Sequence, residues 1–259
     1  MKIYGCQFDI AWENKSENFR RIRALLDKRR LAAGSLLVLP EMFATGFSMN
    51  AAAIAEPDHG PTDDFLRSLA KEKGIHVLGG LVRTALRGRF LNEAVCYAPT
   101  GRRVARYDKL HLFSPGDESK HYAPGSEIAL FSWRKCKVAL AICYDLRFPE
   151  LFRMAVQRGA NVLVVIANWP AKRQSHWTAL LRARAIENQA YVIGVNRCGK
   201  DPRHDYHGGS AVINPWGQTM AEAGRGETLM SAQLDVNAIK KIRSDFPVLR
   251  DIRSRFALE

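Results

Sequence analysis

The strongest constraint on the fold is a succession of short apolar runs, each the length of a strand, separated by helical spacing or by turns. The longest, Val162 to Ala167, falls far short of the roughly 18 apolar residues that a membrane span needs, so the pattern excludes a membrane protein. Residues 2–9 alternate as a strand, and 16–33 carry helical spacing through Phe19, Ile22, Leu25 and Leu26. Leu36 to Leu39 is a short buried strand. Phe65, Leu66 and Leu69 mark a helix, before strands near 75–84, 90–98 and 103–107. Strands near 128–133 and 137–142, a helix at 149–159, a strand at 161–167, a helix at 176–189 and a strand at 190–197 follow. Three further strands are expected near 209–214, 218–223 and 228–234. Crossover units mixed with hairpins imply mixed sheets covered by helices, an α/β layered sandwich. With 259 residues and 47% hydrophobic content, one large core suffices, and residues 1–259 are read as a single domain.

One run ends abruptly in chemistry. Val138-Ala139-Leu140-Ala141-Ile142 leads directly into Cys143-Tyr144-Asp145-Leu146-Arg147-Phe148-Pro149-Glu150, the layout of a nucleophile held on a tight turn at a strand end. The following helix would bring its N-terminal partial positive charge near the thiol. A buried core cysteine is the competing reading, because free Cys packs as a small hydrophobe. A papain-like Cys–His mechanism is a second competitor, but none of the seven histidines lies in a motif of that kind.

Composition narrows the setting. The five cysteines, Cys6, Cys96, Cys136, Cys143 and Cys198, include no C-x-x-C pair and no zinc-like spacing, so no metal is expected and a reduced cytoplasm suits them. Gln7 and Asp9 interrupt the opening residues before a secretory core could form. A net charge of +13 raises the question of nucleic acid. The cations are spread through Arg20 to Arg30 and Arg243 to Arg255, mixed with acids and without a binding motif, so no nucleic-acid partner is expected.

Two other strand ends share the logic of Cys143. Glu41 follows Leu36-Leu37-Val38-Leu39-Pro40, and Lys109 follows Arg103 to Asp108. In α/β sheets such ends are where ligands bind. A thiol becomes a nucleophile when a general base removes its proton, a role that suits Glu41. Negative charge on the attacked oxygen needs a fixed cation and a backbone N–H, which suit Lys109 and the amide of Tyr144. Taken singly, Glu41 could be a solvated loop carboxylate and Lys109 a surface cation.

The strings Leu39-Pro40-Glu41-Met42-Phe43, Tyr107-Asp108-Lys109-Leu110-His111-Leu112-Phe113 and Ile142 to Glu150 closely resemble the three signature segments of the nitrilase (carbon–nitrogen hydrolase) superfamily, in that family's order. The likeness runs from Gln7-Phe8-Asp9 to Asn214-Pro215-Trp216-Gly217. It implies a four-layer αββα sandwich, a Glu41–Lys109–Cys143 triad, a covalent thioester, no cofactor and a homodimer. A second glutamate in the loop after the lysine is also implied. Glu118 is the match rather than Asp117, because its side chain is longer and Asp117 follows Gly116 as a turn residue would.

Within the family, Glu41 to Ser48, Asn168-Trp169-Pro170-Ala171, His176-Trp177 and Leu180 to Asn188 are most similar to the omega-amidase branch. That resemblance implies hydrolysis of the terminal amide of small dicarboxylic monoamides such as 2-oxoglutaramate. Arg173 is then the better ligand for the distal carboxylate, Arg147 an organiser of the Cys143 turn, Phe47, Tyr122 and Trp169 apolar walls, and His176 a further contact. Other superfamily substrates (an aliphatic amide, an N-carbamoyl amine, a nitrile) follow the same thioester logic and stay open. A non-catalytic interaction protein is the remote alternative. The tail, 244–259, carries apolar residues suited to docking on a partner subunit.

Overall fold

The computed structural model describes residues 1–85 and 88–253. Its strands, in chain order, are β1 (Lys2–Gln7), β2 (Leu36–Val38), β3 (His76–Thr84), β4 (Phe90–Tyr97), β5 (Arg103–Asp108), β6 (Leu130–Trp133) and β7 (Cys136–Ile142), then β8 (Val162–Ala167), β9 (Tyr191–Asn196), β10 (Cys198–Lys200), β11 (Asp205–His207), β12 (Ala211–Ile213), β13 (Thr219–Glu222) and β14 (Thr228–Gln233). The helices are α1 (Lys15–Asp27), α2 (Ala51–Ile54), α3 (Pro61–Lys73), α4 (Glu118–His121), α5 (Pro149–Gln157), α6 (Gln174–Asn188) and α7 (Val236–Asp245).

Two mixed six-stranded sheets result, ordered β14-β1-β2-β3-β4-β5 and β13-β12-β9-β8-β7-β6, with β10 and β11 as a separate hairpin. Side-chain alternation sorts the first sheet into two faces. Ile3, Leu36, Val38, Leu78, Ala94 and Cys96 pack in one cluster with the second sheet. Their neighbours Tyr4, Cys6, Leu37, Leu39, Val77, Val95 and Tyr97 pack instead with Ile22 and Leu26 of α1 and Leu66 and Leu69 of α3. The second sheet is covered on its outer face by α5 and α6 through Phe152, Trp177, Leu181 and Ala185. The layers are therefore helix, sheet, sheet, helix.

The expected elements form with small shifts. The first helix stops at Asp27 rather than 33, because its apolar stripe ends at Leu26 and the chain then turns through Gly34 at φ +67°. The β10–β11 hairpin and α7 were not expected. Among the described residues no helix is long and apolar enough to cross a membrane.

Register decides where the strand ends meet. β7, β8 and β9 are parallel, with Ile142 opposite Ile166 and Ile166 opposite Val195, so Cys143, Asn168 and Asn196 emerge at one edge. In the facing sheet β2 runs parallel to β3 while β3–β4 and β4–β5 are antiparallel. The ends of β2 and β5 therefore lie at the same edge as the start of β4, which brings together Glu41, Lys109 and Asn92.

Candidate active site

Glu41, Lys109 and Glu118 are all fully buried and form one cluster. Lys109 Nζ donates to Glu41 Oε1 at 3.0 Å and to Glu118 Oε1 and Oε2 at 3.1 and 2.9 Å. Asn92 Nδ2 donates to Glu41 Oε1 at 2.7 Å and to Glu118 Oε1 at 2.8 Å. The other Glu41 oxygen accepts from the backbone N–H of Asn168 at 2.8 Å and from its side-chain amide at 3.3 Å. Burial works against the Lys109 ammonium, but the charges of Glu118 and Glu41 overcome it and raise its pKa. Burial likewise raises Glu118, against the pull of Lys109. The turn that carries Glu41 packs tightly on β3 at Gly80, where a Cβ would lie 2.7 Å from the Met42 nitrogen; only glycine permits that approach.

Cys143 stands beside this cluster in the left-handed region, at φ +47°, a conformation that costs a non-glycine residue free energy and marks functional turns. It is only partly buried, whereas Cys6, Cys96, Cys136 and Cys198 are buried. Its thiol donates to the Asn168 carbonyl at 3.8 Å. The helix-dipole expectation is corrected here. A 3₁₀ turn, Cys143–Arg147, separates the thiol from α5, and burial, then the Glu41 charge, push the thiol well above its ordinary pKa despite Lys109. Buried Cys136 and Cys198 are pushed up to about 11 and about 12, so acidity does not single Cys143 out. The resting group is a thiol that needs a base.

The turn is clamped by Asp145, which is fully buried. Its Oδ2 accepts from the Ile142 N–H at 2.8 Å and the Tyr107 hydroxyl at 2.8 Å. Its Oδ1 accepts the His111 N–H at 2.9 Å and faces His111 Nδ1 at 2.8 Å. His111 stacks on Phe148 with ring centroids 3.8 Å apart. The cysteine turn and the lysine segment are thereby locked to each other.

A cavity opens onto Cys143. Phe47, Phe113, Tyr144, Arg147, Trp169 and Arg173 line it. Arg147 lies over the Trp169 ring at 4.8 Å and donates to His176 Nδ1 at 3.3 Å, an arrangement that fixes it in place. The Arg173 guanidinium lies over Phe113 at 5.1 Å, and its carbonyl accepts from Trp169 Nε1 at 2.8 Å. Two expected contacts stand away from this lining. His176 is an exposed residue of α6 that receives Arg147. Tyr122 packs with Met42, Ile54 and Val82 behind the glutamates and donates its hydroxyl to the Ser48 carbonyl. Asp117 faces solvent and pairs with Lys120 at 3.0 Å, leaving Glu118 inside the cluster.

Residues 5–244 match the model of the family described as Carbon-nitrogen hydrolase. The chain belongs to that family. It is 37% identical to the 2-oxoglutaramate amidase of Bacillus subtilis (strain 168), over 95% of both chains. It is 36% identical to the omega-amidase YafV of Escherichia coli (strain K12), over 97% of this chain and 96% of that protein. A CN-hydrolase superfamily protein from Xanthomonas campestris, solved with an arsenic adduct in its active site, superposes with a TM-score of 0.93 at 34% identity, over 100% of this chain and 99% of the other.

Several residues of this carbon–nitrogen hydrolase that shape the site were given no role in the sequence expectations. Asn92, the Asn168 side chain, Asp145 and His111 are among them, as are Asp201, Arg203, His204 and Tyr206 of the β10–β11 hairpin, which line the cavity. One signal was available. Asn92 and Glu93 interrupt an otherwise apolar strand, and a buried polar pair is the informative kind of exception. Among the described residues no group of three or more His, Cys, Asp or Glu is placed to hold a metal ion.

Proposed function

We propose that this hydrolase cleaves the terminal amide of small dicarboxylic monoamides, of the 2-oxoglutaramate type, through a thioester on Cys143. The observation that carries the reading is a thiol at the wall of a cavity, backed by one lysine between two buried carboxylates and faced by Arg147 and Arg173. The names of the similar proteins from B. subtilis and E. coli point the same way. Glu41 takes the thiol proton, the sulfur attacks the amide carbon, and the oxygen gains negative charge. Lys109 and the Tyr144 amide stabilise that charge. Tyr144 lies in the first turn of the 3₁₀ segment, where backbone N–H groups lack an intrahelical partner. The carbon–nitrogen bond breaks as Glu41 returns the proton to the departing nitrogen, which leaves as ammonia. Water then adds to the thioester, gives its proton to Glu41, and releases the acid and the thiol, while Glu118 holds Lys109 in place. Arg173, whose guanidinium lies over the Phe113 ring and forms no ion pair among the described residues, is the ligand for the distal carboxylate.

Ammonia release from 2-oxoglutaramate, succinamate, glutamine, a nitrile and an N-carbamoyl amine tests this. The monoamides of dicarboxylic acids are expected to lead, and Cys143→Ala to abolish turnover; preference for glutamine or the nitrile would refute the substrate class. A substrate-derived mass on Cys143 is the expected intermediate.

We also infer a homodimer through the face formed by α6, the β12–β13 turn and the end of α7. Ile186, Trp216 and Phe246 are 50, 53 and 53% exposed, with Trp216 stacked on Phe246 at 6.1 Å, more contiguous apolar surface than isolated exposed residues would give. The start of the tail touches its own chain, where the Phe246 carbonyl accepts from Gln189 at 2.6 Å and Leu249 packs against the core. Its last residues, 254–259, lie outside the described ones. Sedimentation is expected to give a dimer that Ile186→Glu converts to monomer; a monomeric parent protein would refute it.

A further inference from the structure

Asn92 is the first inward-facing polar residue of β4 and is fully buried. Its side-chain nitrogen carries two hydrogens, and each is used on a different carboxylate, Glu41 at 2.7 Å and Glu118 at 2.8 Å. Its backbone carbonyl accepts the Lys109 N–H at 2.9 Å. One residue therefore bonds to both carboxylates behind the thiol through its side chain and to the Lys109 segment through its backbone. Its Oδ1 is buried without a partner among the described residues. Leaving a buried acceptor unpaired is costly, so a position kept for packing alone would be better filled by an apolar side chain.

The charge count explains the use of an amide. Two carboxylates face one ammonium, and the lysine already spends its contacts on both. A second cation would quench the excess negative charge that a proton acceptor needs, and an apolar residue would leave the carboxylates to repel each other. A neutral group with two diverging donors meets both conditions. We propose that Asn92 is a positioning residue, holding Glu41 and Glu118 as two separate carboxylates on a single lysine so that Glu41 stays oriented toward Cys143. The inference rests on Glu41 and Cys143 acting as base and nucleophile.

Asn92→Leu keeps the branched shape and the number of side-chain heavy atoms and removes both donors. It is expected to lower kcat by roughly tenfold to a hundredfold, the range for hydrogen bonds to charged groups, with KM near the wild-type value because Asn92 does not line the cavity. The acidic limb of the kcat/KM profile is expected to move to higher pH, since a carboxylate that loses a donor is easier to protonate. A Leu variant with wild-type kcat and pH profile overturns the proposal. Should that variant not fold, Asn92→Asp and the double variant Asn92→Asp with Glu118→Gln give a readout without turnover. The first adds a third carboxylate, and the second returns the cluster to one amide and two acids. Recovery of the melting temperature in the double variant supports the role; no recovery overturns it. Turnover retained by Cys143→Ala would defeat the catalytic reading instead, and that melting comparison would be untouched by it.

Discussion

Two clusters of buried charge flank β4, one on each face, and neighbouring residues supply them. Asn92 points between the sheets into the Lys109 cluster, and Glu93 points toward α3 into a cluster built on Arg83. Arg83 NH1 donates to Asp63 at 2.6 Å and to the Pro57 carbonyl at 2.7 Å, while its Nε and NH2 donate to Glu93 at 3.0 and 2.7 Å. At the rim Arg103 pairs with Asp58 and Arg106 with Glu93. Each carboxylate of this cluster thus has an arginine partner, including Asp108, which lies 3.6 Å from Arg106. The Lys109 cluster is out of balance, with two carboxylates on one ammonium and a partly exposed thiol beside them. A balanced cluster staples helix to sheet. An unbalanced one holds a carboxylate that can take a proton, which is what general-base chemistry asks for.

Breaking each cluster at its cation should therefore separate activity from stability. Lys109→Ala is expected to lower kcat roughly a hundredfold to a thousandfold, the cost of about 2.7–4 kcal/mol for one lost oxyanion donor. The protein should remain folded, because two close carboxylates can settle by sharing a proton. Arg83→Met strands Asp63 without its cation and leaves Glu93 only Arg106 at the rim. Its expected cost is about 3–5 kcal/mol of stability, as for other broken buried pairs, with kcat per folded molecule unchanged. Thermal melts alongside steady-state kinetics check both. If Arg83→Met lowers kcat at an unchanged melting temperature, the two clusters are coupled and the contrast fails.

The sequence revealed the two clusters to different degrees, for a physical reason. Glu41, Lys109 and Cys143 each follow a strand, so local pattern placed them at strand ends, and the resemblance to a family gave them roles. The partners that orient them are not local. Asn92 is 51 positions from Glu41, and Asn168 is 127; only the strand register brings them together. Tyr122 was read as a cavity wall from the omega-amidase resemblance, yet it packs against Met42 and Val82 behind the site. The β10–β11 hairpin has three-residue strands on either side of Pro202 and no apolar run to announce it. Its place at the cavity depends on Arg197, buried and bonded to Asp9 at 2.8 Å from the far end of the chain. Most strands and helices followed from periodicity and the four layers from the resemblance to a family, whereas α7 was hidden in a charged segment whose buried residues are Ile239 and Ile242.

A smaller effect sharpens the contrast within the Arg83 cluster, whose two buried acids respond to pH with opposite sign. Asp63 lies below the ordinary carboxylate range, because Arg83 and Tyr97 overcome the effect of burial. Its contribution to stability is present above the unfolded pKa of about 3.9 and is lost as pH falls through the folded value. Glu93 is pushed up to about 7, since burial outweighs the pull of Arg83 and Arg106. Its contribution is fully present below the unfolded value of about 4.3 and is lost as pH rises through the folded one. Asp63→Asn should therefore melt below the parent protein at neutral pH, with the deficit shrinking in acid. Glu93→Gln should show a deficit that shrinks as pH rises through neutrality. Melting curves recorded from acid to mildly alkaline pH distinguish the two slopes. A Glu93→Gln deficit that grows with pH would mean that Arg83 and Arg106 hold Glu93 ionised after all, and that burial is the weaker force in this cluster.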